Sequence, residues 1–508
     1  MKKPIYNILK ILVILLLCEI GILCPFIVKF VYTLIYFILF ILISDIILAI
    51  FLHNLPNKVA KILLIFICLH SFVNLKYTQI FGTQFIFTYI SAASEASDVL
   101  SALYPFLSSS DLLFLIALIL TFTIKSKYSK KVFILFVALI TLLFIPLNIE
   151  QTILFGTIQQ ISCNVKMTGK YIFRELTTSK EKVKQEIEQY SYIKSEVEPI
   201  FQDRSLILIQ CESFDDFAIN ELTPNIQYLI NNGYYFSNYH APTYAYHTTD
   251  SEFMVLTGQI PSSSTLTNYA YANNQLPSSL AERFSLSGYN TKVYHNWKGS
   301  YYNRKTFLSN IGFDELYFAE ELGLQTLAIN NASDENLFSK IEVNNKDFVF
   351  VITCSAHGPF EINNSTNLSY YNLAKQTFPD KTEEELVYQS NIIELDNAVG
   401  SLISKYPDAV IIMYSDHVPY TMTASENYPD DIVPLIIYSA DLKPQQIDKL
   451  CYTGDLNITI SELFNLNIPD CAFFGVNVLS NEETTIIQPE DANMMKLGQE
   501  MLSCNIYE

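Results

Sequence analysis

The chain has 508 residues, a hydrophobic fraction of 50% and a formal net charge of −19 at pH 7. This length exceeds one ordinary domain. Residues 1–150 carry 11 Lys and Arg against 6 Asp and Glu, whereas residues 151–508 carry 21 against 45. The acidic second part argues against nucleic acid as a partner, because phosphate backbones require clustered Lys and Arg. An anionic substrate stays open, since a bound divalent cation would dominate the local field.

The first predicted elements are apolar runs that each approach the ~20 residues needed to span a bilayer. They lie near residues 8–28, 30–52, 59–75, 109–124 and 132–150. Lysines cluster before the first run and in alternate loops, which the positive-inside rule assigns to the cytoplasm. We therefore predict five membrane helices within residues 1–155, a cytoplasmic N-terminus and an outer location for the rest. A cleaved signal peptide is the alternative for the first run.

The second part of the chain begins with a predicted juxtamembrane helical linker over residues 156–203, where Ser179–Tyr192 shows polar, helix-spaced charges. From Ser205 onward, strand-like runs such as SLILIQ, DFVFVIT and AVIIMYS alternate with helix-like runs. This alternation predicts an α/β domain with a largely parallel central sheet over residues 204–508.

Six of the nine cysteines lie in the predicted outer part. Cys211 and Cys354 sit in apolar strand-like runs, which favours buried thiols. Cys451 and Cys471 have a spacing that permits a disulfide but does not establish one. The chain is therefore not predicted to be a disulfide-framework protein.

Polar residues follow several predicted strands directly, namely Glu212, His295, His357 and the pair Asp416–His417. In open parallel sheets, sites gather at the carboxyl ends of the strands. A neighbouring carboxylate and imidazole suit a borderline divalent ion, and a carboxylate after a buried strand needs a partner or a metal. The alternatives are a turn with a capping aspartate at Asp416 and a salt bridge at Glu212.

Thr248 and Thr249 precede an apolar helix that carries Asp250 and Glu252 in its first turn. The T-x-x-E pattern is typical of a capping box, so either threonine could act as a cap. A hydroxyl at a helix N-terminus also faces backbone N–H groups that favour an anion. A metal bound to that oxygen would make it a nucleophile.

Arg304, one of four arginines after residue 150, has the planar guanidinium that suits phosphate oxygens. A surface ion pair is its alternative role. His357 lies between a predicted strand and Gly358, where it could stabilise or protonate a leaving oxygen. A structural histidine is the alternative. His295 is expected to face the same cleft.

Taken together, these segments resemble the alkaline phosphatase/sulfatase superfamily, and within it the lipoteichoic acid synthase branch of membrane phosphoglycerol transferases. The resemblance covers essentially the whole chain, including the membrane helices and the linker. It rests on E-S at 212–213, T-x-D-x-E-F at 248–253, H-x8-R at 295–304, S-x-H-x-P-F at 355–360 and Y-x-D-H at 414–417.

The resemblance implies one divalent metal, Mn²⁺ first and Mg²⁺ or Zn²⁺ as alternatives. Its implied ligands are Glu212, Thr248, Asp416 and His417. It also implies that Thr248 is the nucleophile that becomes esterified to phosphate. The implied contacts of the phosphoglycerol group are Arg304, His357 and His295.

Three positions depart from the family pattern. A lysine often precedes the nucleophile, and here that position is His247. The family carries an acidic residue that contacts the glycerol hydroxyls, and this chain has Trp297 at that position. The family also carries a tryptophan before the arginine, and this chain has Tyr302 there. The headgroup pocket, expected to include Trp297 and Tyr302, is therefore altered, so phosphotransfer is better supported than glycerol phosphate as the transferred group.

The predicted function is that of a bacterial plasma-membrane phosphotransferase. It would move a phospho-headgroup, glycerol phosphate first, from a phospholipid to a surface glycan, glycolipid or polymer through a phosphothreonine. The alternatives are a phosphoethanolamine transferase acting on lipopolysaccharide or surface glycan, a membrane phosphodiesterase, and a binding protein on a degenerate enzyme fold. A true sulfatase is not expected, because no modifiable Cys or Ser stands at the nucleophile position.

Overall fold

A computed structural model of the chain describes most of its residues. The described residues are 2–23, 34–81, 87, 107–129, 161, 164–165, 168–169, 177–241, 248–262, 266–324, 329, 332–362, 368–420, 422, 432–484 and 492–508. They belong to two compact units, Met1–Phe173 and Arg174–Glu508. The division between the units falls inside the predicted linker of residues 156–203.

The first unit is helical. Its helices are α1 (Lys2–Leu23), α2 (Leu34–His53), α3 (Asn57–Phe81) and α4 (Leu112–Thr121), with a 3-10 turn at Ser109–Asp111. Helix α1 packs on α2 and α4 through buried apolar side chains that include Ile14, Leu48 and Ala117. Lys76 in α3 forms a largely buried salt bridge with Asp111, with Nζ 2.8 Å from Oδ1.

The five predicted membrane crossings are not confirmed. Among the described residues, one helix has the length and composition to cross a membrane, over Asn57–Thr78. It corresponds to the third predicted run. The fourth run contains only a short apolar helix, Ser109–Thr121, and at 1.5 Å per residue a helix of this length falls short of the ~30 Å hydrocarbon core. Helices α1 and α2 overlap the first two runs, and the fifth run, 132–150, lies outside the described residues.

An eight-stranded mixed sheet forms the centre of the second unit, in the order β5-β4-β6-β1-β7-β8-β2-β9, and a two-stranded sheet pairs β10 with β3. Strand β8 runs antiparallel to both of its neighbours, and the other pairs in the large sheet are parallel. The strands are β1 (Leu206–Cys211), β2 (Tyr234–Phe236), β3 (Tyr239–His240), β4 (Asn290–His295), β5 (Glu315–Tyr317), β6 (Asp347–Ile352), β7 (Val410–Ser415), β8 (Leu435–Tyr438), β9 (Gln445–Ile447) and β10 (Cys451–Tyr452). The prediction of a largely parallel α/β sheet is confirmed, with β8 as the exception.

Helices cover both faces of the large sheet. The described helices of the second unit are α5 (Lys180–Ile187), α6 (Pro224–Asn232), α7 (Thr248–Thr257), α8 (Thr267–Ala270), α9 (Leu280–Leu286), α10 (Arg304–Asn310), α11 (Ala319–Leu322), α12 (Asp334–Ser339), α13 (Leu368–Thr377), α14 (Glu383–Lys405), α15 (Asp455–Leu463) and α16 (Ala492–Ser503). Three further 3-10 turns lie at Glu188–Tyr190, Asp216–Ala218 and Tyr301–Asn303.

Strands β1, β6 and β7 are buried along their whole length, as expected of parallel strands covered on both faces. Because side chains alternate along a strand, Leu206 and Leu208 pack on one face with α7, α9, α10 and α15, whereas Ile207 and Ile209 pack on the other with α6, α12 and α14. The result is a three-layer arrangement in which α7 crosses one face of the sheet.

The predicted linker helix is shorter than expected. The segment from Ser179 to Tyr192 contains α5, which is followed by the 3-10 turn. Val183 and Ile187 of α5 pack against Met494 and Leu497 of α16. This linker segment is therefore part of the second unit and is held by the C-terminal helix.

All seven cysteines among the described residues are free thiols. Cys211 and Cys354 are buried in or beside strands, as predicted. Cys451 and Cys471, whose pairing was open from the sequence, are both unpaired.

Candidate active site

The predicted strand-end residues converge because β4, β6, β1 and β7 are adjacent and parallel. Glu212 follows β1, Asp416 and His417 follow β7, and His295 ends β4. His357 lies five residues beyond the end of β6. The carboxyl ends of these four strands form one edge of the sheet, where the candidate site lies.

Three buried side chains can hold a metal ion at this edge. Potential ligand atoms of Glu212, Asp416 and His417 all lie within 4.8 Å of one another. His417 Nε2 is 3.3 Å from Glu212 Oε1 and 3.6 Å from Asp416 Oδ2. Asp416 Oδ2 is buried and accepts no hydrogen bond from the described residues, which is consistent with a ligand atom for a cation. His417 Nδ1 donates to Val418 O at 2.9 Å, which turns Nε2 toward the two carboxylates.

Ser213 fixes the two carboxylates relative to each other. Its backbone N–H donates to Asp416 Oδ1 and its hydroxyl donates to Glu212 Oε1, each at 2.9 Å. Ser213 has φ of +50°, a left-handed backbone that costs a non-glycine residue energy and that clusters at functional sites. The N–H of Glu212 also donates to Thr353 Oγ1 at 2.9 Å, which joins the ends of β1 and β6.

Thr248 is the first residue of α7 and its hydroxyl meets the same cluster. Its Oγ1 lies 3.2 Å from His417 Nε2 and 3.5 Å from Glu212 Oε2. The start of the helix is anchored to the sheet edge, because Gln210 Nε2 donates to Thr248 O at 3.2 Å and Ser251 Oγ donates to Asp416 O at 2.6 Å. The hydroxyl is thus joined to the predicted ligands.

The alternative assignment of a capping box is not supported at Glu252. Its carboxylate accepts from Arg304 Nε at 2.8 Å and from Asn268 Nδ2 at 2.9 Å. Glu252 is fully buried and Arg304 is 1% exposed. The predicted alternative of a surface ion pair for Arg304 is therefore wrong, because the pair is buried.

Charge is balanced inside the metal-ligand cluster. Burial disfavours the ionised form of Glu212, but the charges of His417 and His357 lower the pKa of Glu212 to about 2. Burial raises the pKa of Asp416 to about 7, against the opposing effect of His417. Burial also favours a neutral His417, yet Asp416 and Glu212 together raise the pKa of His417 to about 9. Without a metal, the imidazolium supplies the positive charge that the two carboxylates require.

His295 lies behind Arg304. Its Nδ1 donates to Ile352 O at 3.0 Å, so its Nε2 accepts from Arg304 Nη1, also at 3.0 Å. Burial and then the charge of Arg304 hold the pKa of His295 well below its usual value. Both ring nitrogens are therefore engaged by the protein, and His295 is neutral.

His357 is half-buried on the loop after β6. Its Nδ1 donates to Gly358 O at 2.6 Å and its backbone N–H donates to Cys354 O at 2.9 Å. Asp334 anchors the loop by accepting from the N–H groups of Cys354 and Ser355 at 2.9 and 3.1 Å. His357 is held near the cluster, and its Nε2 has no partner among the described residues.

The predicted headgroup residues Trp297 and Tyr302 belong to an aromatic group with Tyr301. Trp297 and Tyr301 meet edge to face with ring centroids 6.4 Å apart, and the Arg304 guanidinium carbon lies 5.4 Å from the centre of the Tyr302 ring. Trp297 is buried, and its Nε1 has no hydrogen-bond partner among the described residues. His247 lies outside the described residues.

Sequence reasoning did not assign site roles to Ser213, Glu252, Thr353 or Asp334. Two of them had a detectable signal: Ser213 directly follows the predicted metal ligand Glu212, and Glu252 directly precedes an apolar run inside a helix. The partners of Thr353 and Asp334 are far away in the chain, so no local pattern indicated them.

The donor set fits a divalent cation. Two carboxylates, one imidazole and one hydroxyl combine oxygen and nitrogen ligands, which Mn²⁺, Mg²⁺ and Zn²⁺ accept to different degrees. Asp416 Oδ2 accepts no hydrogen bond from the described residues and has His417 Nε2 only at the ion-pair distance of 3.6 Å, which supports a cation at this point.

A family model described as Sulfatase matches residues 204–466, which is just over half of the chain. Among curated relatives, the lipoteichoic acid synthase-like YvgJ of Bacillus subtilis (strain 168) is 22% identical over 321 residues, covering 55% of this chain and 50% of the relative. Lipoteichoic acid synthase 2 of the same organism is 22% identical over 345 residues, covering 60% and 52%. The chain spans about half the length of these two relatives.

Among solved structures, the lipoteichoic acid synthase LtaP from Listeria monocytogenes aligns with a TM-score of 0.50 at 20% sequence identity. The alignment covers 64% of this chain and 96% of that chain. At this identity the likeness establishes the fold.

Proposed function

Because the chain belongs to the sulfatase family of the alkaline phosphatase superfamily and is distantly homologous to lipoteichoic acid synthases, we propose that it is a membrane-anchored phosphotransferase. It moves a phospho-headgroup, with glycerol phosphate as the leading candidate, from a phospholipid to a cell-surface glycan or polymer. The observation that carries the proposal is the Thr248 hydroxyl, which lies 3.2 and 3.5 Å from two metal-ligand side chains at the start of a helix.

A divalent cation held by Glu212, Asp416, His417 and Thr248 would lower the pKa of the threonine hydroxyl and offset the negative charge of a phosphate. The residues that hold it are buried, so little water competes with the incoming donor. The N-terminal turn of α7 adds backbone N–H groups directed toward the phosphate.

The reaction then divides into two displacements at phosphorus. The Thr248 hydroxyl loses its proton to solvent, and its Oγ1 attacks the donor phosphodiester, forms a phosphothreonine that carries the headgroup and displaces diacylglycerol, to which His357 delivers a proton. In the second displacement the acceptor hydroxyl attacks the phosphorus of this ester and gives its proton to His357, while the released Thr248 oxygen takes up a proton from solvent. Arg304 supports both displacements by donating hydrogen bonds to the phosphate oxygens.

The orientation proposed for this activity is the predicted one. The N-terminus lies in the cytoplasm, the first unit anchors the chain in the plasma membrane, and residues 204–508 form an extracytoplasmic enzyme domain. The apolar helix over Asn57–Thr78 supports membrane anchoring. An enzyme anchored in this way reaches phospholipid headgroups and surface glycans at the same time.

The decisive experiment is intact-mass analysis of the full chain in detergent, incubated with Mn²⁺ and either phosphatidylglycerol or phosphatidylethanolamine. We expect a covalent increment of one phospho-headgroup on the wild type and on Thr248→Ser, which keeps the hydroxyl, but not on Thr248→Ala. The size of the increment identifies the headgroup. An increment that persists in Thr248→Ala would contradict the proposed nucleophile.

An acceptor assay separates transfer from hydrolysis. With a surface glycan present, we expect headgroup-modified glycan as the product. Release of free phosphorylated headgroup alone would identify the enzyme as a phosphodiesterase and overturn the transfer proposal.

A further inference from the structure

Resting on the proposed phosphotransfer, we propose that Glu252 is a positioning residue that sets where Arg304 meets the phosphoryl group. Glu252 does not face the substrate in this role. It acts through Arg304, with His295 as the second support of the same guanidinium.

The first support is the distribution of the arginine's hydrogen bonds. Arg304 Nε donates to Glu252 Oε2 at 2.8 Å and Nη1 donates to His295 Nε2 at 3.0 Å. A guanidinium has five N–H donors, so three have no partner among the described residues. The two bonds lie on different nitrogens, so they fix the plane of the guanidinium as well as its position.

The second support is the spacing between the nucleophile and the arginine. Thr248 and Glu252 are four residues apart in α7, so their side chains lie on the same face of the helix, about 6 Å apart along its axis. One helical turn therefore sets the distance between the attacking oxygen and the group that holds Arg304. A rigid spacing of this kind is what in-line attack at phosphorus requires.

The third support is the burial and mutual satisfaction of the network. Glu252, Arg304 and His295 are all nearly inaccessible to solvent. The second oxygen of Glu252 accepts from Asn268 Nδ2 at 2.9 Å. His295 is fixed from behind by Ile352 O at 3.0 Å. Because each partner is held by a further bond, the guanidinium cannot rotate without breaking buried hydrogen bonds.

The fourth support is backbone strain directly before Arg304. Tyr302 and Asn303 have φ of +54° and +55°. Two consecutive non-glycine residues in the left-handed region are costly, and such strain persists where the surroundings enforce it. The strain turns the chain so that Arg304 begins α10 facing Glu252.

The test is a double-mutant cycle on the Mn²⁺-loaded full chain in detergent, with inorganic phosphate as the probe and calorimetric affinity as the readout. We expect Glu252→Gln and Arg304→Lys each to weaken phosphate binding roughly tenfold, the size of one lost charge-assisted bond. Because both changes disrupt the same hydrogen-bonded pair, we expect the double variant to bind phosphate about as weakly as Arg304→Lys alone.

Glu462→Gln provides the matched control. Glu462 is another buried glutamate that accepts several hydrogen bonds, from Tyr192, Ser195 and Asn477. We expect Glu462→Gln to lower thermal stability while leaving phosphate affinity unchanged. Mn²⁺ affinity, measured on the same samples, is expected to be unchanged in all variants.

Three results would overturn the positioning role of Glu252. The first is wild-type phosphate affinity in Glu252→Gln, and the second is a double variant whose loss equals the product of the single losses. The third is a wild type that binds Mn²⁺ but no phosphate. The cycle uses no lipid, so its result does not depend on headgroup transfer. If the mass experiment shows no transfer to Thr248, the proposed function is rejected, but the phosphate affinities still decide whether Glu252 positions Arg304.

Discussion

Thr248 is the residue on which the proposed chemistry depends. A threonine hydroxyl is a weak nucleophile unless a base or a metal activates it. Its oxygen lies 3.2 Å from His417 Nε2 and 3.5 Å from Glu212 Oε2. A cation held by His417 and Glu212 could therefore contact the Thr248 hydroxyl and promote its deprotonation without a large rearrangement of the site.

Replacing Thr248 by alanine should abolish turnover, with a loss of roughly a thousandfold or more, because covalent catalysis is removed as a unit. Thr248→Ser should retain a substantial part of the activity. Product formation from a labelled phospholipid measures both. Mn²⁺ binding by Thr248→Ala, measured in parallel, should persist through the other three ligands. Full turnover by the alanine variant would exclude the mechanism.

Asp416 should behave differently with and without metal. In the chelated protein, Asp416→Asn removes one of two close, buried acidic groups, so the melting temperature should be equal to or above that of the wild type. Addition of Mn²⁺ should raise the melting temperature of the wild type. At a Mn²⁺ concentration one hundred times Kd, the free energy of unfolding should increase by about 2.7 kcal/mol. The same addition should barely affect the variant. Equal stabilisation of both proteins would place the metal elsewhere.

The ligand cluster also predicts how metal-free stability depends on pH. The pKa of His417 is raised to about 9 and that of Asp416 to about 7. Both groups hold a proton more tightly in the folded state, so their contributions to stability are present at lower pH. These contributions are lost as pH rises through about 7 for Asp416 and about 9 for His417.

We therefore expect chelated protein to melt at a lower temperature at pH 9.5 than at pH 6.5, and Mn²⁺ to remove most of this difference because a cation replaces the protons. Thermal melts across this range, with chelator or with Mn²⁺, measure the effect. A chelated protein that becomes more stable over the same interval would contradict the assigned charge balance.

Helix α7 connects the site to the core. Its first two turns carry Thr248 and Glu252, and apolar residues such as Phe253 and Leu256 pack into the core on one face of the sheet. Gly258 ends the helix with φ of +64°. This left-handed position is typical of a helix C-terminus and favours glycine.

Gly258→Ala should destabilise the second unit by about 1–2 kcal/mol from backbone strain alone. A further cost should come from packing, because the added Cβ would lie 3.1 Å from Asn457 Cγ and 3.2 Å from Phe473 Cδ1. Gly323 is the matched control, with φ of +65° and no atom of the described residues within 4 Å of its added Cβ. Denaturant unfolding of the full chain should therefore show a larger loss for Gly258→Ala than for Gly323→Ala. Equal losses would rule out the packing contribution.

The full chain combines a helical, apolar unit with an acidic enzyme unit. A largely buried salt bridge between Lys76 and Asp111 joins elements of the first unit. Buried apolar contacts between α5 and α16 tie the linker segment into the second unit. Each unit therefore has its own core, and the proposed function requires the second to face the outer surface.

Protease added to intact spheroplasts should digest the second unit while sparing a cytoplasmic marker protein. The expected result follows from the lysine distribution, which keeps the N-terminus inside. Immunodetection of a C-terminal tag measures the loss. Protection of the tag in intact spheroplasts, with digestion only after lysis, would reverse the proposed orientation.

The sequence by itself determined the fold class and the residues of the candidate metal-ligand cluster. The spacing of apolar residues predicts strands and helices from local sequence. Polar residues directly after buried parallel strands then lie together at the carboxyl-end edge of the sheet. Glu212, Asp416 and His417 could therefore be predicted before any tertiary contact was known. Thr248 was indicated by its place at a predicted helix start and by the family motif T-x-D-x-E-F.

Tertiary structure alone decided the rest. The pairing of Glu252 with Arg304, the bonds of Ser213 to both carboxylates and the antiparallel direction of β8 join segments far apart in the chain. Such contacts depend on how layers pack, which local periodicity does not encode. Among the described residues, one helix has the length and composition to cross a membrane where five crossings were predicted. An apolar run such as 109–124 indicates hydrophobicity but not the length of the helix that forms within it.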